Sequence, residues 1–300
     1  MVTPFKRSGD LDLVAAKNEA SFIIRAGVSG LVVGGSTGEG YAMTPDELKA
    51  VCTTVKTTAK KLAGDEFPVL AGVISNSTRE AIEYARAAKE AGADGIQMTP
   101  VPTYLYKPDI KDTVKAFKDV GEAVGLPIVI YNVVPTNKLS AADFEKIASV
   151  KQVVGVKQSG VDIHTLADVI LAVGKRMAVF SALDDMLLPS LILGARGSIS
   201  AACSILPDMC VELLKLYKQK KIEACLPLHW KILRVVRVTV YRGINDVYGD
   251  MLGRVKFAIN AQGRKVGYPR SPVSMPSDDA KAAILAALRF AGRPLDPKFR

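Results

Sequence analysis

The feature that most constrains the fold is an alternation of short β-branched runs with longer amphipathic segments over the first 220 residues. Such an alternation is typical of βα units and a parallel sheet. Eight alternations fit a (β/α)8 TIM barrel, usually ~250 residues long, better than an open doubly wound sheet. Strands are predicted at residues 2–5, 30–34, 68–73, 95–99, 127–132, 153–157, 177–181 and 197–201. Helices are predicted at residues 11–26, 44–62, 78–91, 110–124, 141–147, 163–173 and 185–193.

After residue 201 the strand pattern stops, and the periodicity that remains is helical. The helices are predicted at residues 207–219, 222–240, 249–261 and 278–290, and no low-complexity linker interrupts them. We therefore predict an α/β protein with two regions. Residues 1–220 form a (β/α)8 TIM barrel with the catalytic site, and residues 221–300 form a C-terminal helical appendage that packs on the barrel.

Composition disfavours several classes of partner. The 40 Lys and Arg residues exceed the 30 Asp and Glu residues by a formal net charge of +10, but the basic residues are scattered over many helical faces. This distribution disfavours nucleic acid and favours a general attraction for small carboxylates. No apolar stretch is long enough to span a bilayer, and the first residues lack the order of a signal peptide. We expect a soluble, cytoplasmic protein with no membrane partner.

Residue types that bind metals are sparse. The four cysteines form no Cys-x-x-Cys pair, and the two histidines are isolated in the sequence. This pattern predicts buried free thiols rather than a zinc or redox motif. We therefore predict no metal site.

Lys157 follows the apolar run at residues 153–156, at the tip of a predicted buried strand. Two interpretations fit this segment. In the first, Val156 ends the strand and Lys157 is a solvated loop residue. In the second, apolar surroundings favour the neutral amine, which attacks a carbonyl group to form a Schiff base. The segment alone favours the first, so other segments must decide.

A glycine-rich turn at residues 34–40 follows the second predicted strand, where barrels of this kind build their active sites. The backbone N–H groups around Gly35 and the hydroxyls of Ser36 and Thr37 suit a small anion. The turn lacks the Gly-Lys-Ser/Thr sequence of a nucleotide-binding loop, so a carboxylate fits better than a polyphosphate. The alternative is a flexible turn held by Glu39.

Tyr131 ends the apolar run of the strand at residues 127–132. Its hydroxyl is expected in the mouth of the barrel, either as a proton carrier or as a rim aromatic with one hydrogen bond. The next strand ends at Lys157, so the two side chains are expected to face one cavity.

These motifs resemble the dihydrodipicolinate synthase and N-acetylneuraminate lyase superfamily, the pyruvate-handling class I aldolases. The resemblance covers nearly the whole chain and includes Gly35-Ser36-Thr37-Gly38-Glu39, Tyr131-Asn132, Gly155-Val156-Lys157 and the Thr3-Pro4-Phe5 start. It implies that Lys157 forms an imine with the 2-oxo group of pyruvate or a larger 2-oxo acid. It also implies that Ser36 and Thr37 hold the carboxylate, that Tyr131 moves protons, and that no cofactor beyond the imine is needed. A homotetramer or dimer of dimers is expected on the same ground.

Two loops depart from the pattern of this family. Asn137 stands near the position where dihydrodipicolinate synthases carry an arginine for the second substrate, and Lys138 can replace its charge but not its bidentate grip. Leu105 stands where the relay tyrosine is expected, which leaves Tyr104 or Tyr106 to serve if the loop shifts.

A third departure is Leu183, in Leu183-Asp184-Asp185 where relatives show Gly-Asp-Asp, a change that places a bulky side chain near the substrate's entry. The predicted function is a Schiff-base lyase or aldolase like dihydrodipicolinate synthase, with an unknown partner aldehyde. Alternatives within the family are a 2-keto-3-deoxy sugar-acid aldolase or dehydratase and an N-acetylneuraminate lyase. The alternative from another class is a non-catalytic barrel that binds oxo acids.

Overall fold

The computed structural model describes residues 1–159, 162–243 and 246–299. Seven parallel strands pair in sequential order from the first to the seventh. This order, with a helix between consecutive strands, is that of a (β/α)8 barrel and confirms the predicted fold class apart from its first strand. The strands are β1 (Leu31–Val33), β2 (Val69–Val73), β3 (Gly95–Met98), β4 (Ile128–Asn132), β5 (Val153–Gln158), β6 (Ala178–Ser181) and β7 (Gly197–Ser198).

The helices follow the predicted periodicity closely, and four predicted ranges agree with the observed bounds at both ends. Local chemistry explains where they begin: the Thr44 hydroxyl and the Glu47 carboxylate form a capping box at the start of the second helix, with Pro45 in its first turn. The helices of the barrel region are α1 (Leu13–Arg25), α2 (Pro45–Ala63), α3 (Thr78–Glu90), α4 (Ile110–Val124), α5 (Ala141–Ile147), α6 (Ile163–Val173), α7 (Leu187–Ile192), α8 (Ala202–Ile205) and α9 (Pro207–Lys218). Those that follow are α10 (Ile222–Thr239), α11 (Met251–Ala261) and α12 (Asp278–Phe290).

The predicted strand at residues 2–5 is wrong. Within this segment Phe5 alone makes bridges, which are isolated and antiparallel, to Leu11 and Tyr268. Pro4 has no backbone N–H to donate to a neighbouring strand, so a regular ladder is interrupted in the middle of the segment.

Side-chain and terminal hydrogen bonds hold this segment beside β1 instead. The Thr3 hydroxyl donates to the Gly38 carbonyl at 2.6 Å, and the Met1 ammonium donates to the Val32 carbonyl at 2.8 Å. In the described part of the chain, β1 and β7 do not pair with each other. A cavity of about 850 Å³ opens beside these two edge strands, and its lining includes Met1, Leu31, Val32, Gly197 and Ser198.

Two further predictions near the C-terminal part need correction. The strand predicted at residues 197–201 covers only Gly197–Ser198, because Ala201 already has helical backbone angles at the start of α8. The region after residue 201 also contains a hairpin, β8 (Tyr241–Gly243) with β9 (Asp246–Val247), which sequence periodicity missed because its strands are too short to show alternation.

Apolar side chains form two buried clusters. The first joins the sheet to the helices from α1 to α6. The second includes Leu213 of α9 and Ile232 of α10, so it draws on both sides of residue 220. The predicted domain boundary at residue 220 stays a prediction. None of the described helices is both long and apolar enough to span a membrane.

Candidate active site

Tyr131 and Lys157 lie side by side at the carboxyl ends of β4 and β5. In the parallel register of these two neighbouring strands, Tyr131 and Lys157 are direct partners. Both side chains are buried, with Tyr131 5% and Lys157 7% exposed. The Lys157 Nζ lies 3.6 Å from the centroid of the Tyr131 ring. The Lys157 Nζ therefore rests on an aromatic face, and the burial of the side chain excludes its interpretation as a solvated loop residue.

The glycine-rich turn after β1 reaches this pair through Ser36. The Ser36 hydroxyl and the Tyr131 hydroxyl are 2.7 Å apart and share a hydrogen bond. The turn is closed by its own backbone, since the Glu39 N–H donates to the Ser36 carbonyl at 3.0 Å and the Gly40 N–H donates to the Gly35 carbonyl at 3.1 Å. Within residues 1–159, the N–H groups of Ser36 and Thr37 have no protein acceptor. These two groups are thus available to an anion.

The turn packs so closely on the sheet that one of its contacts requires glycine. A Cβ on Gly72 of β2 would lie 2.0 Å from the Gly34 carbonyl oxygen. A Cβ on Gly35 would lie 3.5 Å from Nε2 of Gln97, a fully buried residue of β3. Neither amide atom of Gln97 has a hydrogen-bond partner in the described chain. Sequence reasoning missed Gln97, although an amide within a short buried strand is a readable signal.

Asn137 does not point toward this constellation. It ends the short 3₁₀ turn Pro135–Asn137 and is fully buried. Its Nδ2 donates to the Val101 carbonyl at 2.8 Å and to the Thr113 hydroxyl at 3.3 Å. The side chain therefore ties the loop after β4 to the loop after β3 and to α4. The adjacent Lys138 is half-buried.

The loop after β3 carries its aromatic side chains at the surface. Tyr104 is 85%, Leu105 64% and Tyr106 74% exposed. The loop is closed by a bridge between Thr103 and Tyr106, and Tyr104 adopts a left-handed backbone with φ of 56°. Among the described residues, no hydrogen bond joins Tyr104 or Tyr106 to Ser36 or Tyr131. A single copy of the chain therefore brings neither tyrosine to the site.

The segment after β6 supplies a buried carboxylate that sequence reasoning passed over. Leu183 is 5% exposed and packs in the first apolar cluster, whereas the neighbouring Asp184 accepts a hydrogen bond from the Ala202 N–H at 2.5 Å. Burial raises the pKa of Asp184 to about 6, against the opposing effects of the Ala202 N–H, the Ser200 hydroxyl and the charge of Lys157. The charge interaction places Asp184 in the electrostatic environment of the lysine.

Tyr241 of β8 adds a second polar group to this segment. Burial raises the pKa of its hydroxyl above the ordinary value, the charge of Asp184 raises it further, and the Asp184 backbone opposes the shift. Sequence reasoning assigned residue 241 no role, because it treated the surrounding region as helical only. The hairpin thus brings a C-terminal tyrosine against the rim of the barrel.

Asp184→Asn is expected to make stability less dependent on pH. The native carboxyl binds its proton more tightly than the unfolded one, so the wild-type free energy of unfolding falls as pH rises from about 4 through about 6. Asparagine keeps an acceptor for the Ala202 N–H and removes this titration. The stability difference in favour of the variant should grow by up to roughly 3 kcal/mol between about pH 4 and about pH 8. Urea unfolding across that range measures it, and a constant difference would contradict the assignment.

Within the described ranges, no group of three or more His, Cys, Asp or Glu side chains is arranged to hold a metal ion. The described part of the chain brings together a buried amine, a phenol that is hydrogen-bonded to a serine hydroxyl, and a turn with free backbone N–H groups. Such a set can hold a small carboxylate and perform amine and proton chemistry beside it.

Comparison with known proteins identifies the family. The model of the dihydrodipicolinate synthetase family matches residues 1–291 of the chain. The 4-hydroxy-tetrahydrodipicolinate synthase 1 of Halalkalibacterium halodurans is 31% identical over 289 residues, which cover 95% of this chain and 94% of that protein. The 4-hydroxy-tetrahydrodipicolinate synthase of Maridesulfovibrio salexigens is 33% identical, with 97% of this chain and 96% of that protein covered.

Two solved structures with bound pyruvate share the fold over nearly the whole chain. One is YagE, a prophage protein of the dihydrodipicolinic acid synthase family from E. coli K12, with a TM-score of 0.88, 27% identity and coverage of 98% of this chain and 97% of that one. The other is the chloride-inhibited dihydrodipicolinate synthase of Acinetobacter baumannii, with a TM-score of 0.87, 27% identity and the same coverage. The chain therefore belongs to the dihydrodipicolinate synthetase family and is a class I lyase of that family.

Proposed function

We propose that the enzyme forms a Schiff base between Lys157 and the 2-oxo group of pyruvate or a pyruvate-derived 2-oxo acid. The observation that carries this proposal is the direct pairing of Lys157 with Tyr131, whose hydroxyl is hydrogen-bonded to Ser36 of the glycine-rich turn. One side of the site thus offers a nucleophile, and the other offers N–H and hydroxyl donors for a carboxylate. A simple aldehyde would leave those donors unused.

The chemistry follows from these positions. The turn with Gly35, Ser36 and Thr37 holds the carboxylate, and the neutral amine of Lys157 adds to the adjacent carbonyl carbon. Tyr131 carries a proton to the carbinolamine oxygen, which leaves as water and yields the protonated imine. The imine accepts the electron pair released when a proton or an aldehyde leaves the neighbouring carbon. The reverse direction joins the enamine to an aldehyde, and the covalent imine makes a metal or organic cofactor unnecessary.

The partner of the oxo acid is the finer part of the proposal. The relatives named above are 4-hydroxy-tetrahydrodipicolinate synthases, which makes that condensation the first candidate. The second candidate is cleavage or dehydration of a larger 2-keto sugar acid, including an N-acetylneuraminate lyase activity. It is favoured by Asn137, whose amide is engaged within the protein where an arginine for a second carboxylate is expected.

A substrate panel read by pyruvate release or uptake tests the proposal. Condensation consumes pyruvate only in the presence of the right aldehyde, and cleavage releases pyruvate from a sugar acid. Dehydration of a sugar acid leaves the pyruvate concentration unchanged and is recognised by the new 2-oxo acid that it forms. We expect turnover with at least one member of the panel. Schiff-base trapping without turnover on any member would favour a non-catalytic barrel that binds oxo acids, a reading motivated by the exposed Leu105 in place of a relay tyrosine.

Assembly is also a proposal. The exposed tip formed by Tyr104, Leu105 and Tyr106 presents three large side chains to solvent in a single chain. We propose that this tip lies in an interface of a homotetramer or dimer of dimers, as the family resemblance implies. Sedimentation velocity measures the oligomeric state, and a monomer at micromolar concentration would contradict the proposed assembly.

A cytoplasmic location of the protein stays a prediction.

A further inference from the structure

The turn that we propose for the carboxylate ends at Glu39, which has an unusual backbone. Glu39 adopts the left-handed conformation with φ of 56°, which is unfavourable for a residue with a side chain. Its N–H nevertheless closes the turn on the Ser36 carbonyl. Some other contact must therefore hold Glu39 in place, and its side chain shows which.

The Glu39 carboxylate is buried and paired with a buried lysine. Its Oε1 lies 2.6 Å from the Nζ of Lys256, and both side chains are 1% exposed. Its Oε2 accepts a hydrogen bond from the Arg270 N–H at 2.8 Å. Both partners belong to the C-terminal part of the chain, with Lys256 on α11. The turn is thus anchored to a region that contributes none of the three groups proposed for substrate chemistry.

Lys256 is held from three sides. Besides Glu39, its Nζ donates to the Tyr268 carbonyl at 2.6 Å and lies 4.6 Å from the centroid of the Phe5 ring. Burial lowers the pKa of Lys256, and the nearby Glu39 carboxylate opposes that shift. A buried ion pair of this kind contributes little net stability, but it strongly resists the removal of one partner. Its use is therefore to fix a geometry.

We propose that Lys256 is a positioning residue for the site, which acts through Glu39 to hold the N–H groups of Ser36 and Thr37 in the orientation that binds the substrate carboxylate. The inference rests on the proposed function of the turn and extends it to the C-terminal region. Lys256 itself touches no substrate. Its loss should therefore weaken binding of the oxo acid and leave the chemistry of Lys157 nearly unchanged.

The informative variant is the double substitution Glu39→Gln with Lys256→Met. Lys256→Met alone leaves a buried carboxylate without a counter-charge and risks unfolding, whereas the double variant removes both charges. The matched control is Glu19→Gln with Arg264→Met. This second buried pair, in which the Arg264 Nε donates to Glu19 at 3.0 Å, joins α1 to the segment after α11. The other described hydrogen bonds of Arg264 go to the Ser204 and Ile205 carbonyls and not to the turn.

We expect the pyruvate concentration for half-maximal borohydride trapping to rise about tenfold in the Glu39/Lys256 variant and less than about twofold in the control. The rate of trapping at saturating pyruvate should stay within about twofold of wild type in both. An equal rise in the two variants, or a loss confined to the saturating rate, would overturn the positioning role.

Hydrogen exchange tests the positioning role of Lys256 independently of the proposed function. Without any ligand, the amides of Glu39 and Gly40 should exchange about tenfold faster in the Glu39/Lys256 variant than in wild type, with no such change in the control. If wild type fails to trap pyruvate, the proposed function falls, while the exchange result still decides whether the pair holds the turn. Unchanged exchange would show that it does not.

Discussion

Borohydride reduction in the presence of pyruvate is expected to attach pyruvate covalently to the wild-type chain and to leave Lys157→Ala unmodified. Reduction of an imine adds the mass of pyruvate less one oxygen atom, so intact mass spectrometry detects it directly. Turnover should fall in the variant by roughly four orders of magnitude or more, because the carbanion loses its electron sink. The free energy of unfolding should change far less than turnover, since the contact that the variant loses is the one between the Lys157 side chain and the face of the Tyr131 ring.

Two controls make this result specific. Lys157→Arg retains the positive charge over the ring but cannot form an imine under these conditions, so it should remain unmodified as well. Lys256 serves as an internal control, because it is buried like Lys157 but engaged by Glu39 and the Tyr268 carbonyl. Peptide mapping should place the adduct on Lys157 and not on Lys256. An adduct that persists in Lys157→Ala would rule out the assignment.

Tyr131→Phe is expected to lower kcat by about 10²–10³ with a small change in KM for pyruvate. Phenylalanine keeps the ring that lies 3.6 Å from the Lys157 Nζ, so the lysine stays in place. It removes the hydroxyl that lies within hydrogen-bond distance of the Ser36 hydroxyl, at 2.7 Å, and that we propose as the proton carrier. Steady-state kinetics with the substrate found in the panel measures the loss.

Ser36→Ala is the matched control for the tyrosine. It breaks the same hydrogen bond but leaves the phenol, so its effect on kcat should be much smaller and its effect on KM larger. If Tyr131→Phe retains kcat within about twofold of wild type, proton transfer runs through another group. Tyr241 would then be the next residue to test, since its buried hydroxyl interacts electrostatically with both Asp184 and Tyr131.

Much of the fold and the centre of the site were predictable from the sequence. Strands buried on both faces appear as short β-branched runs, and amphipathic helices appear as a 3.6-residue period, so their order specifies a parallel barrel. In such a barrel, consecutive strands are neighbours. That rule alone predicts that Tyr131 and Lys157, at the ends of consecutive strands, share one face of the site, and the register of β4 with β5 pairs them directly.

Predictions failed where a residue's partner lies far away in the sequence. The segment at residues 2–5 has the composition of a strand, but Thr3 and Phe5 find their partners at Gly38, Leu11 and Tyr268 instead of on a neighbouring strand. Asn137 stands near the position where relatives carry a substrate-binding arginine, and only the structure shows that its amide is used between two loops and a helix. Composition and spacing carry no information about such contacts.

The sequence by itself determined the alternating architecture and the residue types at the strand ends, because periodicity and apolar runs are local properties of the chain. Only the tertiary structure showed that Ser36 bonds to Tyr131, that Asp184 is buried in the electrostatic environment of Lys157, and that Glu39 pairs with Lys256. Each of these facts depends on burial and on contacts between distant segments. Burial changes the energy of a charge or a polar group far more than its neighbours in sequence do, so these properties exist only in the folded chain.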